Sequence, residues 1–453
     1  MKSKYDLIVI GGGTAGSVVM HRAAAKGLKV AVIEAEQIGG TCVNVGCIPS
    51  KILIHTARIM ALVKGSAEFG IHSSEPQADW PAVLKRKGQI VGKMRDGGYR
   101  SILGNENITL FEGEASFAGP GHLRVNGETI YTGKIIIAAG ARPAIPDLPG
   151  LADLDYLTST SIMEMEKLPE SLLIIGGGII ALEFSQLFAR LGVQVTILQR
   201  NRRLVPKMEE DISAEIQKIL LEEGVNVITG VEIKSAGRDE KGIYVLEESS
   251  GRLLRYQAEK LLVAAGRTPN SDRLALQSVG VDVDKKGYIK VDSSFKTSAR
   301  DIWAAGDITG GPMFTHKAWH DGFLLASHLL DGQQVKSEGR LVPVAVFTDP
   351  EIAVVGLGEQ EAKDAGFDVE IKKYHFEDHG RNMVDGKLKG FIKLVVEQDS
   401  GKLLGAHLIG SEAAELLHEL IAVIRFEGKI TDLQDMMHIH PTLAEAINSA
   451  SFK

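Results

Sequence analysis

Cys42 and Cys47 are the only two cysteines in this chain of 453 residues, and they lie five positions apart in GGTCVNVGCIPSK at 39–51. Two thiols at that separation can close a small disulfide loop and open it again, taking up or releasing an electron pair. A static structural bridge is uncommon in a chain without secretory features, and two thiols alone make a poor metal site, so no metal centre is expected. The chemistry that fits is a redox-active dithiol. On a regular helix, five residues rotate a side chain by roughly 140°, which separates the sulfurs. A closable pair therefore needs an irregular turn, and Gly46 and Pro49 are suited to make one. A cysteine near a helix N-terminus is also favoured as the thiolate.

Electrons arriving at sulfur need a carrier, and the residues just upstream are those of a dinucleotide loop. YDLIVIGGGTAG at 5–16 is an apolar strand entering a glycine triplet, followed by a helical stretch and a second strand, VAVIE at 30–34. The pattern recurs in SLLIIGGGIIA at 171–181, with VTILQ at 195–199. In register, Gly11 corresponds to Gly176, Gly13 to Gly178, Gly16 to Ala181 and Glu34 to Gln199. One such loop is weak evidence. Two, each framed by strand, helix and strand, predict two Rossmann-type nucleotide sites, with the glycines letting the backbone approach a pyrophosphate at a helix N-terminus.

The two sites differ where the second strand ends and a ribose is expected. Glu34 can accept hydrogen bonds from free ribose hydroxyls, which FAD and NAD both offer. Gln199 has no carboxylate and is followed by Arg200, Asn201, Arg202 and Arg203, a change that favours a 2′-phosphate. The first site is therefore expected to hold FAD and the second NAD(P), with NADP preferred over NAD.

A second repeat supports this organisation. IIIAAGARP at 135–143 and LLVAAGRTPN at 261–270 both read as buried strands ending in a turn and a proline, with Gly140 and Gly266 at the turns. The expected fold class is α/β: two Rossmann-like nucleotide-binding domains plus a C-terminal α+β domain. The expected boundaries are 1–147 for the FAD domain, 148–269 for the NAD(P) domain, 270–340 for a return to the first domain through WAAGD at 303–307, and 341–453 for the α+β domain.

Composition sets the outer limits. Hydrophobic residues make up 44% and charged residues 24%, with a net charge of −7. That is an ordinary globular mix with no global attraction to nucleic acid or an anionic membrane. The N-terminal apolar run is only LIVI before three glycines, which strand plus phosphate loop explains better than a signal peptide. No stretch approaches ~18 uninterrupted apolar residues. A cytoplasmic enzyme is expected.

The cysteine motif, the paired Rossmann units, AAGD at 304–307 and HPTLAE at 440–445 resemble the class I pyridine nucleotide–disulfide oxidoreductases over nearly the whole chain. PMFTHKAWHDG at 312–322 and FTDPEIAVVG at 347–356 are most similar to the dihydrolipoamide dehydrogenase branch. The resemblance implies that Cys47 lies nearer the flavin and that Cys42 exchanges with substrate. It implies that Lys51 lies beside the flavin with Glu183 as its partner, and that Asp307 binds FAD together with Gly40 and Thr41. It also implies that His440 is the acid/base oriented by Glu445, delivered from the other subunit of a homodimer. His438 is left structural. The implied reaction is oxidation of dihydrolipoamide or a lipoylated carrier protein, with reduction of NAD(P)+.

Gln199, Arg200 and Ala181 depart from that branch towards NADPH-using members, which raises an alternative: NADPH-dependent reduction of another small-molecule or protein disulfide. Mercuric reduction is not expected without a C-terminal cysteine pair, nor transhydrogenation with both active-site cysteines present. A non-catalytic docking subunit is disfavoured by the intact Cys42, Cys47, Lys51, His440 and Glu445.

Overall fold

The computed structural model describes residues 4–249 and 252–453. Its first sheet grows around β1 (Leu7–Ile10), four apolar residues that are all buried, as expected of a parallel strand covered on both faces. Helix α1 (Thr14–Ala25) connects it to β2 (Val30–Glu34). The sheet order is 302–304, 135–137, β1, β2, 108–112, parallel throughout. The downstream WAAGD segment thus returns to the first sheet as its edge strand.

After β2 the chain forms α2 (Gly40–Val45) and then α3 (Cys47–Gly65). Gly46 separates them at φ −136°, ψ −111°. A Cβ at Gly46 would lie 2.7 Å from the carbonyl oxygen of Thr41. The irregular turn required by the two cysteines is therefore made at Gly46. Pro49 takes no part in the break: it sits in the first turn of α3, where helical N–H groups have no intrahelical acceptor to lose.

The second unit repeats the first with β3 (Ser171–Ile175), α4 (Ile179–Arg190) and β4 (Gln194–Gln199). Its parallel order is 226–229, β4, β3, 260–263. Each unit carries a small three-stranded antiparallel sheet, within 116–131 and 233–258. The repeated turn segments pair with each other, Ala141–Pro143 running antiparallel to Arg267–Pro269. Asn270 Nδ2 donates to the Ala139 carbonyl at 2.8 Å, and Arg142 meets Asp272 at 2.9 Å. Equivalent exits from the two units thus tie them together.

Helix α5 (Thr315–Asp331) lies against α1 so closely that a Cβ at Gly322 would sit 2.5 Å from the Ala15 carbonyl oxygen. From Val344 onward a five-stranded antiparallel sheet, ordered 344–346, 351–356, 403–410, 391–397, 369–375, is covered by α6 (Ala413–Arg425) and α7 (Glu445–Ser451). Leu394, Leu408, Leu420 and Ile447 form part of its core. Buried Lys393 joins this sheet to the second unit through Glu209 at 2.5 Å.

Among the described residues one helical run, Gly40–Phe69, is long and apolar enough to cross a membrane. It is broken at Gly46, holds both cysteines, and forms ion pairs through Lys51 and Arg58 with residues of distant elements. Those contacts tie the run to the rest of the fold.

Candidate active site

Cys42 lies on α2 and Cys47 begins α3, both as free thiols, partly buried and hydrogen-bonded to each other. The Thr315 hydroxyl, at the start of α5, is 3.3 Å from Cys47 Sγ. The two thiols are strongly polarised. The Cys47 thiol is lowered from 9.0 to about 6, first by the hydrogen bond from Cys42 and then by the Thr315 hydroxyl and the Lys51 cation, against the opposing effect of burial. The Cys42 thiol is pushed far up by the same hydrogen bond, by burial and by repulsion from Cys47. Of the two sulfurs, Cys47 is the one that its surroundings favour as the thiolate.

One helical turn beyond Cys47, Lys51 reaches the carboxylate of buried Glu183 on α4, its Nζ 2.8 and 3.0 Å from the two oxygens. The backbone N–H of Phe347 donates to the same carboxylate at 2.9 Å, and the ammonium lies 4.8 Å from the Phe347 ring centroid. One ion pair thus joins the dithiol helix, the second Rossmann unit and the C-terminal domain.

His440 and Glu445 meet in the loop entering α7. His440 Nδ1 is 2.9 Å from Glu445 Oε1, while the Thr442 N–H donates to Oε2 at 2.8 Å. These two bonds, the Thr442 one foremost, hold the Glu445 carboxyl below its ordinary range. With Nδ1 engaged, Nε2 has no partner among the described residues, and the side chain is 83% exposed. Neighbouring His438 is mostly buried and bonded to Glu419 at 2.9 Å.

The loop between β1 and α1 fits a pyrophosphate. Gly11 has φ +101°, and a Cβ there would run into the Ala138 carbonyl; one at Gly16 would run into the carbonyl of Gly11. Gly13 has only the Gly40 Cα nearby, at 3.7 Å, which leaves bare backbone where α1 and α2 begin side by side. Glu34 accepts from the N–H of Gly12 at 2.7 Å and of Glu36 at 3.0 Å. Burial nevertheless raises its pKa. Asp307 also has its pKa raised by burial, with Arg267 and Lys317 opposing the rise. No described residue donates a hydrogen bond to the Asp307 carboxylate, so it has the capacity to accept one from a ligand hydroxyl. These features fit FAD. Thr41 is exposed beside this cradle, and Gly140 takes φ +65° at the turn after 135–137.

The second loop has the same geometry at its first glycine: Gly176 has φ +118°, and a Cβ there would run into the Ala264 carbonyl. Gly178 is open, Ala181 is fully buried, and Gly266 takes φ +125° with open space around it. Gln199 is buried and donates to the Arg203 carbonyl at 3.4 Å. Arg200 and Arg202 are exposed and make no hydrogen bond or ion pair among the described residues.

Sequence reasoning missed Thr315, the Phe347 amide and Asp321. Asp321 is a fully buried carboxylate bonded to Lys317 at 2.7 Å and Arg340 at 2.6 Å. It also accepts from the N–H of Gly306 at 3.2 Å, which fixes the backbone beside Asp307. The only sequence signal for Thr315 and Asp321 was their place in PMFTHKAWHDG, which carries no ligand-like spacing.

Residues 5–322 match the family model described as pyridine nucleotide-disulphide oxidoreductase, and residues 342–451 match the dimerisation domain of that family. The chain belongs to the pyridine nucleotide-disulphide oxidoreductase family. A mercuric reductase from Staphylococcus aureus is 37% identical over 447 residues, 99% of this chain and 82% of the relative. A dihydrolipoyl dehydrogenase from Thermus scotoductus is 36% identical over 451 residues, 99% of this chain and 96% of the relative. Among solved structures, the HOCl-induced flavoprotein disulfide reductase RclA from Escherichia coli superposes with a TM-score of 0.90 at 30% identity, covering 99% of both chains. The expected fold class, two nucleotide-binding units and a C-terminal dimerisation domain, is that of the family. So are flavin-dependent oxidoreductase chemistry and the use of FAD with a pyridine nucleotide. Mercuric reductases and dihydrolipoyl dehydrogenases are similar to the chain to the same degree.

Proposed function

We propose that this chain exchanges an electron pair between NADP(H) and a dithiol–disulfide substrate of the dihydrolipoyl type, through Cys42 and Cys47. The observation that carries this reading is the pair of free thiols set on either side of the Gly46 break, with the Thr315 hydroxyl 3.3 Å from Cys47 Sγ and the Lys51–Glu183 ion pair one helical turn on. FAD supplies the two-electron relay between sulfur and nicotinamide. Gly11, Gly13, Gly16, Glu34, Gly40, Thr41, Gly140 and Asp307 hold it, in a domain formed by 1–147 and 270–340. The nicotinamide cofactor is held within 148–269 by Gly176, Gly178, Ala181, Gln199, Arg200 and Gly266, with Arg200 and Arg202 selecting the 2′-phosphate.

When the Cys42–Cys47 disulfide accepts electrons, a substrate thiol attacks Cys42 and Cys47 leaves as the thiolate. The second substrate thiol then displaces Cys42, so the substrate leaves as a disulfide and the protein as a dithiol. The low pKa of Cys47 makes it the better leaving group. His440 Nε2 takes the proton of the attacking thiol, and Glu445 keeps the ring oriented with Nδ1 protonated. The exposure of His440 suits service to the cysteines of a second copy, so residues 341–453 build a homodimer with shared sites. Lys51, held by Glu183, supplies a cation that favours the charged form of Cys47, while the Glu183 carboxylate opposes it. A cytoplasmic setting, where thiols stay reduced, suits this chemistry.

Run in reverse, the same site reduces a small or protein-bound disulfide with NADPH, and the unpaired Arg200 and Arg202 favour this second reading. An assay of FAD-loaded protein with dihydrolipoamide and NADP+, NAD+ or neither tests both. Reduction of NADP+ in preference to NAD+, abolished by Cys42→Ala, is expected. Inertness towards dihydrolipoamide, combined with NADPH-driven reduction of a different disulfide, would replace the first reading by the second.

A further inference from the structure

Glu183, Gln186 and Arg190 recur at i, i+3 and i+7 on α4 and so share one face of that helix. All three reach the segment 347–349, which joins the first two strands of the C-terminal sheet. The buried Gln186 amide pairs with the main chain of Asp349 on both sides. Its Oε1 accepts from the Asp349 N–H at 2.7 Å, and its Nε2 donates to the Asp349 carbonyl at 2.8 Å. Arg190 Nη1 donates to the Asp349 carboxylate at 2.8 Å and Nη2 to its carbonyl at 3.1 Å. The same guanidinium holds Glu223 at 2.7 and 2.8 Å. From α3, Arg58 approaches the other Asp349 carboxylate oxygen at 3.8 Å.

Asp349 is thus gripped at its N–H, its carbonyl and its carboxylate by two side chains of one helix. A slide of the segment would leave a buried donor and a buried acceptor without partners, so it is held in place. Phe347, two residues upstream, touches both members of the Lys51–Glu183 pair. Its N–H and the Lys51 ammonium share Glu183 Oε1, at 2.9 and 3.0 Å, and its ring lies 4.8 Å from the ammonium. The pair acts on Cys47 with opposite signs, the cation for the thiolate and the carboxylate against it. Its net effect therefore depends on where the ammonium stands and on how far the Phe347 N–H offsets the carboxylate. The other groups coupled to Cys47 are Cys42, the Thr315 hydroxyl and Tyr99.

We propose that Gln186 and Arg190 are positioning residues for the dithiol: by clamping Asp349 they fix the Phe347 N–H on Glu183, and with it the Lys51 ammonium relative to Cys47. They act through Glu183 and Lys51 and not on the sulfurs themselves. The assignment rests on the reading of Lys51 as the cation that favours the Cys47 thiolate.

The test follows alkylation of Cys47 by iodoacetamide against pH in reduced, FAD-loaded protein, read by peptide mapping, beside thermal unfolding. Gln186→Leu, similar in size and without hydrogen bonds, raises the Cys47 midpoint on the order of half a pH unit, because the carboxylate is less offset and draws the ammonium to itself. Arg190→Lys keeps a cation beside Glu223 but loses the fork on Asp349, so it moves the midpoint the same way by less, and it serves if Gln186→Leu fails to fold. Leu187→Ala, a core truncation on the same helix, lowers the unfolding temperature and leaves the midpoint in place. In a Glu183→Gln background, Gln186→Leu moves the midpoint no further. Unmoved midpoints in Gln186→Leu and Arg190→Lys, an equal shift in Leu187→Ala, or a full shift in the Glu183→Gln background overturns the proposal and leaves the clamp as packing. A Lys51→Met midpoint equal to the native one would instead remove Lys51 from the charge on Cys47, and the underlying reading would fail with the clamp.

Discussion

The two Rossmann units share a scaffold and diverge after the second strand. Both enter the helix through a glycine with strongly positive φ, Gly11 and Gly176, packed on the carbonyl of an equivalent alanine, Ala138 and Ala264. Past β2 the chain forms two short-spaced helices that carry the cysteines and Lys51. Past β4 it forms a loop with two exposed arginines, unpaired among the described residues. Glu34 is bonded into its own phosphate loop through the Gly12 N–H, whereas Gln199 turns back to its own basic turn. One topological position therefore leads to the cysteines in the first unit and to two exposed arginines in the second, on a shared framework.

The largest test of that division exchanges alanine for the two equivalent glycines. Both substitutions combine a positive φ with a collision against a backbone carbonyl. Gly11→Ala is expected to purify without flavin, read from its visible absorbance. Gly176→Ala is expected to keep its flavin and lose NADP(H) turnover by more than ~100-fold. If both variants lose flavin, the units are not separable as described. Next in size, Arg200→Ala with Arg202→Ala is expected to raise the KM for NADPH by ~10–100-fold and leave that for NADH nearly unchanged, as loss of charge-assisted bonds to a single phosphate would. Equal effects on both cofactors would remove the 2′-phosphate from the picture.

The charge on sulfur offers a third probe. Because the Cys47 pKa is lowered to about 6, its thiolate persists above that pH and is lost as pH falls through it. Thiolate absorbance of the reduced protein is expected to titrate there. Cys42→Ala is expected to move the midpoint upward, since the Cys42 hydrogen bond is the largest cause of the shift. An unmoved midpoint would assign the charge to Thr315 and Lys51 instead. The smallest expected effect is that of Ala181→Gly. It restores the first unit's pattern in the second at a cost of about 1 kcal/mol in thermal or denaturant unfolding, from helix propensity and a lost buried methyl. Gly16 has no such latitude, because a Cβ there strikes Gly11.

What could be read before the structure followed from local chemistry. Glycine loops repeat because a backbone must approach phosphate in each unit, so both cradles were visible as sequence. Cys42, Gly46 and Cys47 were linked by helix geometry alone, although Pro49 proved to be an ordinary first-turn residue. The pairs Lys51–Glu183 and His440–Glu445 came from resemblance; no spacing rule joins residues 132 positions apart, and the structure brings each pair into hydrogen-bond range. Thr315 escaped notice because a single hydroxyl at a helix start, 268 positions from Cys47, has no periodic signature. The Phe347 amide and the Asp321 cluster were hidden for the same reason: backbone donors and buried ion pairs between distant elements depend on packing, not on local pattern.

The most direct measurement is a thiol count during anaerobic NADPH titration of oxidised, FAD-loaded protein. Two new thiols per chain at the end point, mapped to Cys42 and Cys47 and absent from Cys47→Ser, are expected if electrons pass between nicotinamide and this sulfur pair. Oxidation of NADPH without release of any thiol would contradict the dithiol as an electron carrier.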